Sequence, residues 1–294
     1  MKDKQSILKR MFAGNKQLPT LPVLFNQLNK MLDNPFTSNK AISELIMKDQ
    51  SLVAKILKLS NSALYSKRQE ITNLSNAITF LGTASIRNLI LQISLVRLFD
   101  IKDDQIPEFS ISIFWEHSLG TAYFTEVIAK KLNLPHSDTY YIGGLLHDIG
   151  KLVIFQFYLN EFKQIIKKQL DKNLIDYEAE EEILGVNHTD IGTYIAEHWN
   201  FKREIIESIR DHHKNLKTLP MHAALVRISN LFTKAAGLCF PWDKHVFDIT
   251  GDYAWEILST QKNESIDVER LTFEISDETS IIQDSVRELL SKKS

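Results

Sequence analysis

Residues 143–151 read Gly-Gly-Leu-Leu-His-Asp-Ile-Gly-Lys. The apolar residues before His147 and Asp148 predict that this pair stands at the end of a helix, with Lys151 following one turn later. A carboxylate can bridge two cations while the neighbouring imidazole binds one of them. The glycines at 143, 144 and 150 permit close backbone approach. The stretch therefore favours a metal site inside a helical protein.

Four more histidines and one asparagine lie on other predicted helices: His117, His188, His212, His213 and Asn230. A single helical histidine is more often a hydrogen-bonded packing residue than a ligand. Residues on separate helices can converge in the core of a bundle, where helical proteins build metal sites. Imidazoles with one shared carboxylate suit Fe, Mn or Zn, with Ni as a substitute, rather than Ca. The remaining histidines match no ligand position and are assigned to the surface or to packing: His136, His198, His222 and His245.

The spacing of apolar residues predicts an all-α chain. Residues 23–32 place apolar side chains at 24, 25, 28, 31 and 32, the pattern of an amphipathic helix. Asp49 can cap a helix over 50–60, and Gly82 separates helices over 72–81 and 84–99. Other helices are predicted over 40–48 (capped by Ser38 or Asn39), 111–132, 138–146, 152–172, 178–184, 188–199, 202–213, 220–236 and, among two or three in the tail, 277–290.

The acidic segment 100–108 is the predicted junction between two helical parts. We expect an N-terminal helical bundle over 1–100, a second helical domain over 101–236 and a helical extension over 237–294. Residues 1–100 contain 14 basic and 6 acidic residues, a net charge of +8, whereas the remainder contains 21 and 31, a net charge of −10. This contrast fits either different partners for the two parts or mutual attraction between them.

Other features indicate a soluble, cytoplasmic protein. Cys239 is the only cysteine, so no intrachain disulfide forms. The N-terminus has no apolar segment typical of a signal peptide. The longest apolar stretch, 86–99, is interrupted by Arg87, Asn88, Gln92 and Arg97 and is shorter than a membrane span needs. No membrane partner is expected.

The order H…HD…H…HH…N resembles the HD superfamily of metal-dependent phosphohydrolases. The resemblance implies that His117, His147 and Asp148 bind a first metal, and that Asp148 bridges to a second metal. The implied ligands of the second metal are His188, His212 and His213. Lys151 matches the lysine of the HD-x-G-K motif, which contacts phosphate in relatives, so Asp148 and Lys151 are the implied catalytic residues.

Motifs in the first half narrow the resemblance to the HDOD (HD-related output domain) family: Leu18-Pro-Thr-Leu-Pro22, Asp49-Gln-Ser-Leu52, Leu59-Ser-Asn-Ser-Ala63 and Ala77-Ile-x-x-Leu-Gly82. Gly185-Val-Asn-His188, with Gly192 and Trp199, fits as well. The similarity runs from about residue 18 to 236. It implies a bacterial signalling or output role.

The sequence departs from the superfamily at its last ligand position, where relatives carry aspartate and this chain has Asn230. A neutral amide is a poorer ligand than a carboxylate and cannot act as a base. The GYP motif of cyclic-di-GMP phosphodiesterases is also missing between His188 and His213.

Two functions remain open. The first is an HDOD-type signal-transduction module that retains most of the metal site and binds protein partners. The alternative is a hydrolase acting on a nucleotide or other phosphoester, in which metal activates water while Lys151 and Arg227 neutralise charge. Nucleic acid is a weak candidate partner, because no basic run is dense enough to neutralise a row of phosphates.

Overall fold

A computed structural model describes residues 3–13, 18–32, 34, 36–62, 65, 70–99, 109–134, 137–243, 245, 249–262, 266–276 and 279–290. Within these ranges the regular structure is α-helical and no strand is present, which confirms the all-α prediction. The helices are α1 (Lys4–Met11), α2 (Val23–Leu32), α3 (Asn39–Ile46), α4 (Gln50–Ser60), α5 (Leu74–Leu98), α6 (Ile111–Lys131), α7 (Ser137–Leu146), α8 (Ile149–Phe157), α9 (Leu159–Lys172), α10 (Asp176–Leu184), α11 (His188–His198), α12 (Arg203–Asp211), α13 (Met221–Ala235), α14 (Tyr253–Lys262), α15 (Val268–Ser276) and α16 (Thr279–Leu290).

The chain forms two compact units that are interleaved in sequence. Unit 1 comprises Met1–Pro19 and Ile101–Thr279, and unit 2 comprises Thr20–Asp100 and Ser280–Ser294. These boundaries differ from the contiguous blocks expected from sequence, because the first helix belongs with unit 1 and the last with unit 2. The expected junction at 100–108 lies outside the described residues.

Unit 2 is a helical bundle with an apolar core. Its helices begin where capping side chains predict: Ser38 accepts a hydrogen bond from the Ala41 backbone N–H and Asp49 accepts one from Leu52. Helix α5 contains Gly82 at φ 81°, a left-handed conformation that glycine adopts without steric cost and that divides the helix in two. The break predicted at this residue is therefore confirmed.

Helix α5 is also the one described helix long and apolar enough by itself to span a membrane. Just over half of its most apolar window, 56%, is buried inside the protein, as in the core helix of a soluble protein. The bent pair Thr139–Phe157 and Leu159–Lys172 reaches that length only if it is counted as a single span, and it turns by 118°.

Unit 1 packs α6, α7, α12 and α13 against one another, with α8 lying against α11. The helix predicted over 152–172 was wrong in extent, because the chain leaves helical geometry at Tyr158 (φ −135°, ψ 47°). Residues 149–155 are all buried, whereas α9 buries one face only. The bend thus lets a central helix, α8, be followed by a surface helix.

Helix α1, which the sequence analysis did not predict, docks within unit 1. Its first turn is fixed by Lys4, whose ammonium lies 2.8 Å from Oδ2 of Asp190 and 3.1 Å from Oε1 of Glu181. At its other end, Tyr158 donates a hydrogen bond to the carbonyl of Met11 at 2.7 Å. The contacts tie α1 to α10, α11 and the α8–α9 bend.

Candidate metal centre

The His147–Asp148 pair lies at the junction of α7 and α8 and is fully buried. Two glycines permit the packing around it. A Cβ on Gly144 would lie 2.8 Å from the Cα of Ala122 in α6, and one on Gly150 would lie 2.1 Å from the carbonyl oxygen of His188. Both positions therefore exclude any side chain, and α7 and α8 bring the pair against α6 and α11.

One candidate ligand set consists of His117, His147 and Asp148. The Nε2 atoms of the two imidazoles are 3.2 Å apart, and each lies 3.5 Å from Oδ2 of Asp148. Nδ1 of His117 lies 2.8 Å from the carbonyl of Leu238, and Nδ1 of His147 lies 2.7 Å from that of Gly144. Because a carbonyl can only accept, both Nδ1 atoms carry the proton, and two Nε2 lone pairs face each other beside a carboxylate.

The other set consists of Asp148, His188, His212 and His213. Oδ1 of Asp148 lies 3.2 Å from Nε2 of His188 and 3.6 Å from Nε2 of His212, and the Nε2 atoms of His188 and His213 are 2.9 Å apart. Nδ1 of His212 donates to the carbonyl of Ile209. Buried Nε2 of His212 and Oδ1 of Asp148 make no hydrogen bond, so both remain available to a cation.

These two sets fit a divalent metal. Buried polar atoms are normally hydrogen-bonded, and opposed lone pairs repel unless a proton or a cation lies between them. Backbone carbonyls that fix the other ring nitrogen are the usual outer partners of metal-binding histidines. The donor types, imidazole and one shared carboxylate, suit Fe, Mn or Zn.

The electrostatics of the core match this reading at four of the five histidines; at His188 burial alone would lower the pKa, but Glu180 and Asp148 outweigh it and raise it. Burial lowers the pKa of His117 to about 4, and it also lowers the pKa of His147, His212 and His213. Burial alone would raise the pKa of Asp148, but Lys151 and the neighbouring imidazoles hold it well below its ordinary value. Neutral imidazoles and an ionised carboxylate are the protonation states that bind metal.

Lys151 is buried and engaged within the protein. Its ammonium lies 2.7 Å from Oδ2 of Asp148 and 2.6 Å from Oδ2 of Asp176. Burial alone would lower the pKa of this lysine, but the two carboxylates outweigh it and raise the pKa. Lys151 is thus a counter-ion of Asp148, and Oδ2 is partly occupied by this contact whereas Oδ1 is not.

Two buried carboxylates in the site, Asp176 and Glu180, were missed by sequence reasoning. They lie four residues apart on α10, so they share one helix face. Asp176 meets Lys151, and Glu180 meets His188. The available signal was this spacing within an otherwise exposed acidic run, with the fully buried Ala179 on the same side of the helix.

Asn230 and Arg227 both lie on α13 and are buried. The Oδ1 atom of Asn230 makes no hydrogen bond. The guanidinium of Arg227 is paired with Asp252 at 2.7 Å and donates to the carbonyl of His213 at 2.8 Å. Arg227 therefore supports the His212–His213 turn, and its charge is already balanced by a carboxylate.

Two of the remaining histidines have partners outside the site. His222 lies 2.9 Å from Oε2 of Glu207, and His245 lies 3.1 Å from the carbonyl of Asn173. His198 ends α11 on an exposed position, and His136 lies outside the described residues.

The segment that follows α13 covers the site. Gly237 turns the chain at φ 80°, Leu238 accepts the hydrogen bond from His117, and the ring of Phe240 lies 5.4 Å from the ammonium of Lys151. Trp242 stacks on Phe240. A cavity of about 20 Å³ beside Lys151 has room for about one water molecule. As far as the described residues show, the site is therefore closed in this conformation.

Comparison with known proteins gives consistent results. The family model described as the HDOD domain matches residues 18–215. An HDOD domain protein of unknown function from Geobacter sulfurreducens superposes with a TM-score of 0.85 at 26% identity, covering 98% of each chain. A protein from Shewanella amazonensis SB2B, named as a candidate phosphohydrolase, gives a TM-score of 0.74 at 21% identity, covering 97% of this chain and 98% of that one.

Sequence comparison also finds an uncharacterised protein of Treponema pallidum (strain Nichols). It is 28% identical over 205 residues, which is 69% of this chain and 39% of that protein. The chain therefore matches only about two fifths of the length of this relative.

Proposed function

The chain belongs to the HDOD domain family, and on that premise we propose that it is a metal-binding regulatory module of a cytoplasmic signalling pathway. The observation that carries the proposal is the arrangement of buried imidazoles around Asp148. Those of His117, His147 and His212 each bind a carbonyl through Nδ1 and turn an unprotonated Nε2 toward that carboxylate. Such a cluster is costly to bury without a cation.

The closure of the site favours regulation over turnover. Catalytic metal sites keep a coordination position open to substrate or water, whereas structural sites are closed by protein ligands. Here five candidate ligands surround the carboxylate of Asp148: His117, His147, His188, His212 and His213. Only His213 has appreciable side-chain exposure, at 15%. A metal at this place would hold four or more helices in one arrangement that a partner can recognise.

Of the two ligand sets, the one containing His188 is the better supported. Its carboxylate oxygen, Oδ1 of Asp148, makes no hydrogen bond, whereas Oδ2 is already bound by Lys151. The asparagine at 230 further weakens the set containing His117, since an amide is a weaker ligand than a carboxylate. We expect one tightly held Fe, Mn or Zn ion and, at most, a weaker second one.

Elemental analysis of the full-length protein tests this proposal. Protein produced in medium containing Fe, Mn and Zn should retain about one metal ion per chain after dialysis. His188→Ala should remove that ion, and His117→Ala should retain it. Wild-type protein that holds no metal, or a high-resolution structure with only water near these side chains, would refute metal binding.

Hydrolysis of a nucleotide or other phosphoester is a second candidate, favoured by the retention of Lys151 and six ligand positions. If it occurs it should be slow, and Asn230→Asp should accelerate it by restoring a carboxylate. The test is turnover of a generic phosphodiester and of common nucleotides by both proteins, each loaded with metal. Absence of turnover in both removes this candidate.

The partner is proposed to be an acidic protein that binds the basic part of the chain. Residues 1–100 carry a net charge of +8, against −10 for the rest. Binding of the full chain to lysate proteins and to duplex DNA should be measured at ~50 and ~200 mM salt, across which phosphate-driven binding falls steeply. Tight, salt-dependent DNA binding would instead identify nucleic acid as the partner.

A further inference from the structure

Glu180 is a buried carboxylate that belongs to neither candidate ligand set. It lies on α10 with 2% of its surface exposed. One of its oxygens, Oε2, accepts two hydrogen bonds from the same residue: from the backbone N–H of His188 at 2.7 Å and from Nδ1 of its ring at 2.6 Å. Both the backbone and the ring of His188 are thus tied to a single oxygen atom.

We propose that Glu180 is a positioning residue that makes His188 a metal ligand, an inference that rests on the metal binding proposed above. The bond to Nδ1 holds the proton on that nitrogen and leaves Nε2 as the ligand atom, 3.2 Å from Oδ1 of Asp148. The bond to the backbone N–H prevents the first turn of α11 from moving relative to α10. A carboxylate behind a metal-binding imidazole also makes the ring a stronger donor.

The local backbone brings Glu180 and His188 together although eight residues separate them. Gly185 ends α10 in a left-handed conformation, at φ 77°, and so reverses the chain. Asn187 then begins α11 with a capping box closed by Asp190. His188 is the first residue of the new helix, so its backbone N–H is free of helical bonding and can donate to Glu180.

Three consecutive glutamates on α10 provide the controls. Only Glu180 is buried; Glu181 pairs with Lys4, and Glu182 pairs with Lys168 and is about half exposed. Glu182→Gln therefore makes the same chemical change two residues further along α10, on the other side of the helix and away from the metal centre. Glu180→Gln keeps an acceptor and removes the charge, and Glu180→Leu removes both.

The experiment is a metal titration of metal-free, full-length protein with Mn²⁺ and Zn²⁺. Glu180→Gln should weaken binding about 10-fold and Glu180→Leu about 100-fold, the range seen when outer partners of metal ligands are removed. Glu182→Gln should bind like the wild type. The unfolding midpoint of each metal-free variant shows whether that variant is folded. If Glu180→Leu does not fold, the affinity of Glu180→Gln alone decides the test.

A second readout separates positioning from general stability. In alkaline buffer, at a pH above the raised pKa of His188, the ring ¹⁵N resonances of this residue should show the Nδ1-protonated neutral form in the wild type and in Glu182→Gln. Glu180→Leu should lose that preference. Unchanged affinity in both Glu180 variants overturns the inference. A wild type that binds no metal overturns the proposed function instead, and the ring resonances then still decide whether Glu180 orients His188.

Discussion

The cores of the two units differ in kind. In unit 2 the described core is built from apolar side chains such as Phe25, Leu28, Ile46 and Ile56, and its buried polar side chains are neutral. In unit 1 the core includes histidines, a lysine and several carboxylates, among them Asp148 and Lys151. Buried charge opposes folding unless it is paired or bound. The core of unit 2 therefore stabilises the fold by apolar packing, whereas the core of unit 1 contains charged groups that lower its stability and form a binding site.

The largest effect is expected from a substitution that removes the shared carboxylate of unit 1 and leaves the size of the side chain unchanged. Asp148→Asn should abolish stoichiometric metal binding, because both ligand sets use this carboxylate. Asp176→Asn is the matched control, since it also deprives Lys151 of one carboxylate but belongs to neither set. Metal content per chain after dialysis measures both. Retention of metal by Asp148→Asn would eliminate both ligand sets.

A cavity in unit 2 should have the opposite effect: it should lower the stability of the protein and leave metal binding unchanged. Phe25→Ala removes a fully buried ring and should lower the free energy of unfolding by about 3–5 kcal/mol. Phe36→Ala makes the same change at a residue that is 92% exposed and should cost less than about 0.5 kcal/mol. Urea titration combined with amide hydrogen exchange measures the free energy of unfolding of each variant. Loss of bound metal in folded Phe25→Ala would show that the cores are not independent.

Removal of metal by a chelator should destabilise unit 1 selectively. A ligand present at 100 times its Kd stabilises the folded state by about 2.7 kcal/mol. Hydrogen exchange followed by peptide mass spectrometry should show faster exchange in α8, α11 and α12 on chelation, with α2–α5 unchanged. Equal changes in both units would contradict the contrast between their cores.

The smallest effect is electrostatic and belongs to unit 2. Asp49 caps α4 and pairs with Arg97 at 2.6 Å, so Asp49→Ala should cost about 1 kcal/mol. Burial alone would raise the pKa of Asp49, but the hydrogen bonds from Arg97 and the helix outweigh it and lower the pKa from its ordinary 3.8.

The sign of the pH dependence follows. A depressed pKa means that the contribution of Asp49 is fully present above the ordinary value and disappears as pH falls through the folded one. The difference between wild type and Asp49→Ala should therefore be complete at about pH 7 and should shrink as the pH falls below 3.8 and through the lowered pKa of the folded state. Asp284→Ala, which breaks an exposed pair with Arg287, should show almost no difference at neutral or acidic pH.

Periodicity and capping predicted much of the helical structure. The bounds of α2 and α4 were correct to the residue, because an amphipathic pattern and Asp49 mark them locally. The HDOD resemblance, carried by several separate motifs, is also confirmed. The α8–α9 bend was missed, since both helices are apolar enough to continue one another by pattern alone. The interleaved units were missed because composition says nothing about which distant segments pack together.

The candidate site was predictable as a set of ligand types but not as a network. The histidines and the His-Asp pair could be recognised as candidate metal ligands from their residue types alone. Asp176 and Glu180 are ordinary helix-forming acids whose importance comes from what faces them across the fold. The phosphate-binding role expected for Arg227 remains a prediction, and the structure shows its guanidinium paired with Asp252.

The interleaving of the units has a consequence during synthesis. Four helices of unit 2 lie within residues 20–100, whereas α16 follows about 180 residues later. It belongs to the same unit, buries Ile282, Val286 and Leu289, and accepts a hydrogen bond from Lys55 at the carbonyl of Leu289. At ~5–20 residues per second, the ribosome delivers α16 roughly 10–35 seconds after α5. During that interval the nascent bundle lacks a helix of its unit. Unit 2 therefore begins with residues 20–100 but cannot be completed until α16 has been translated.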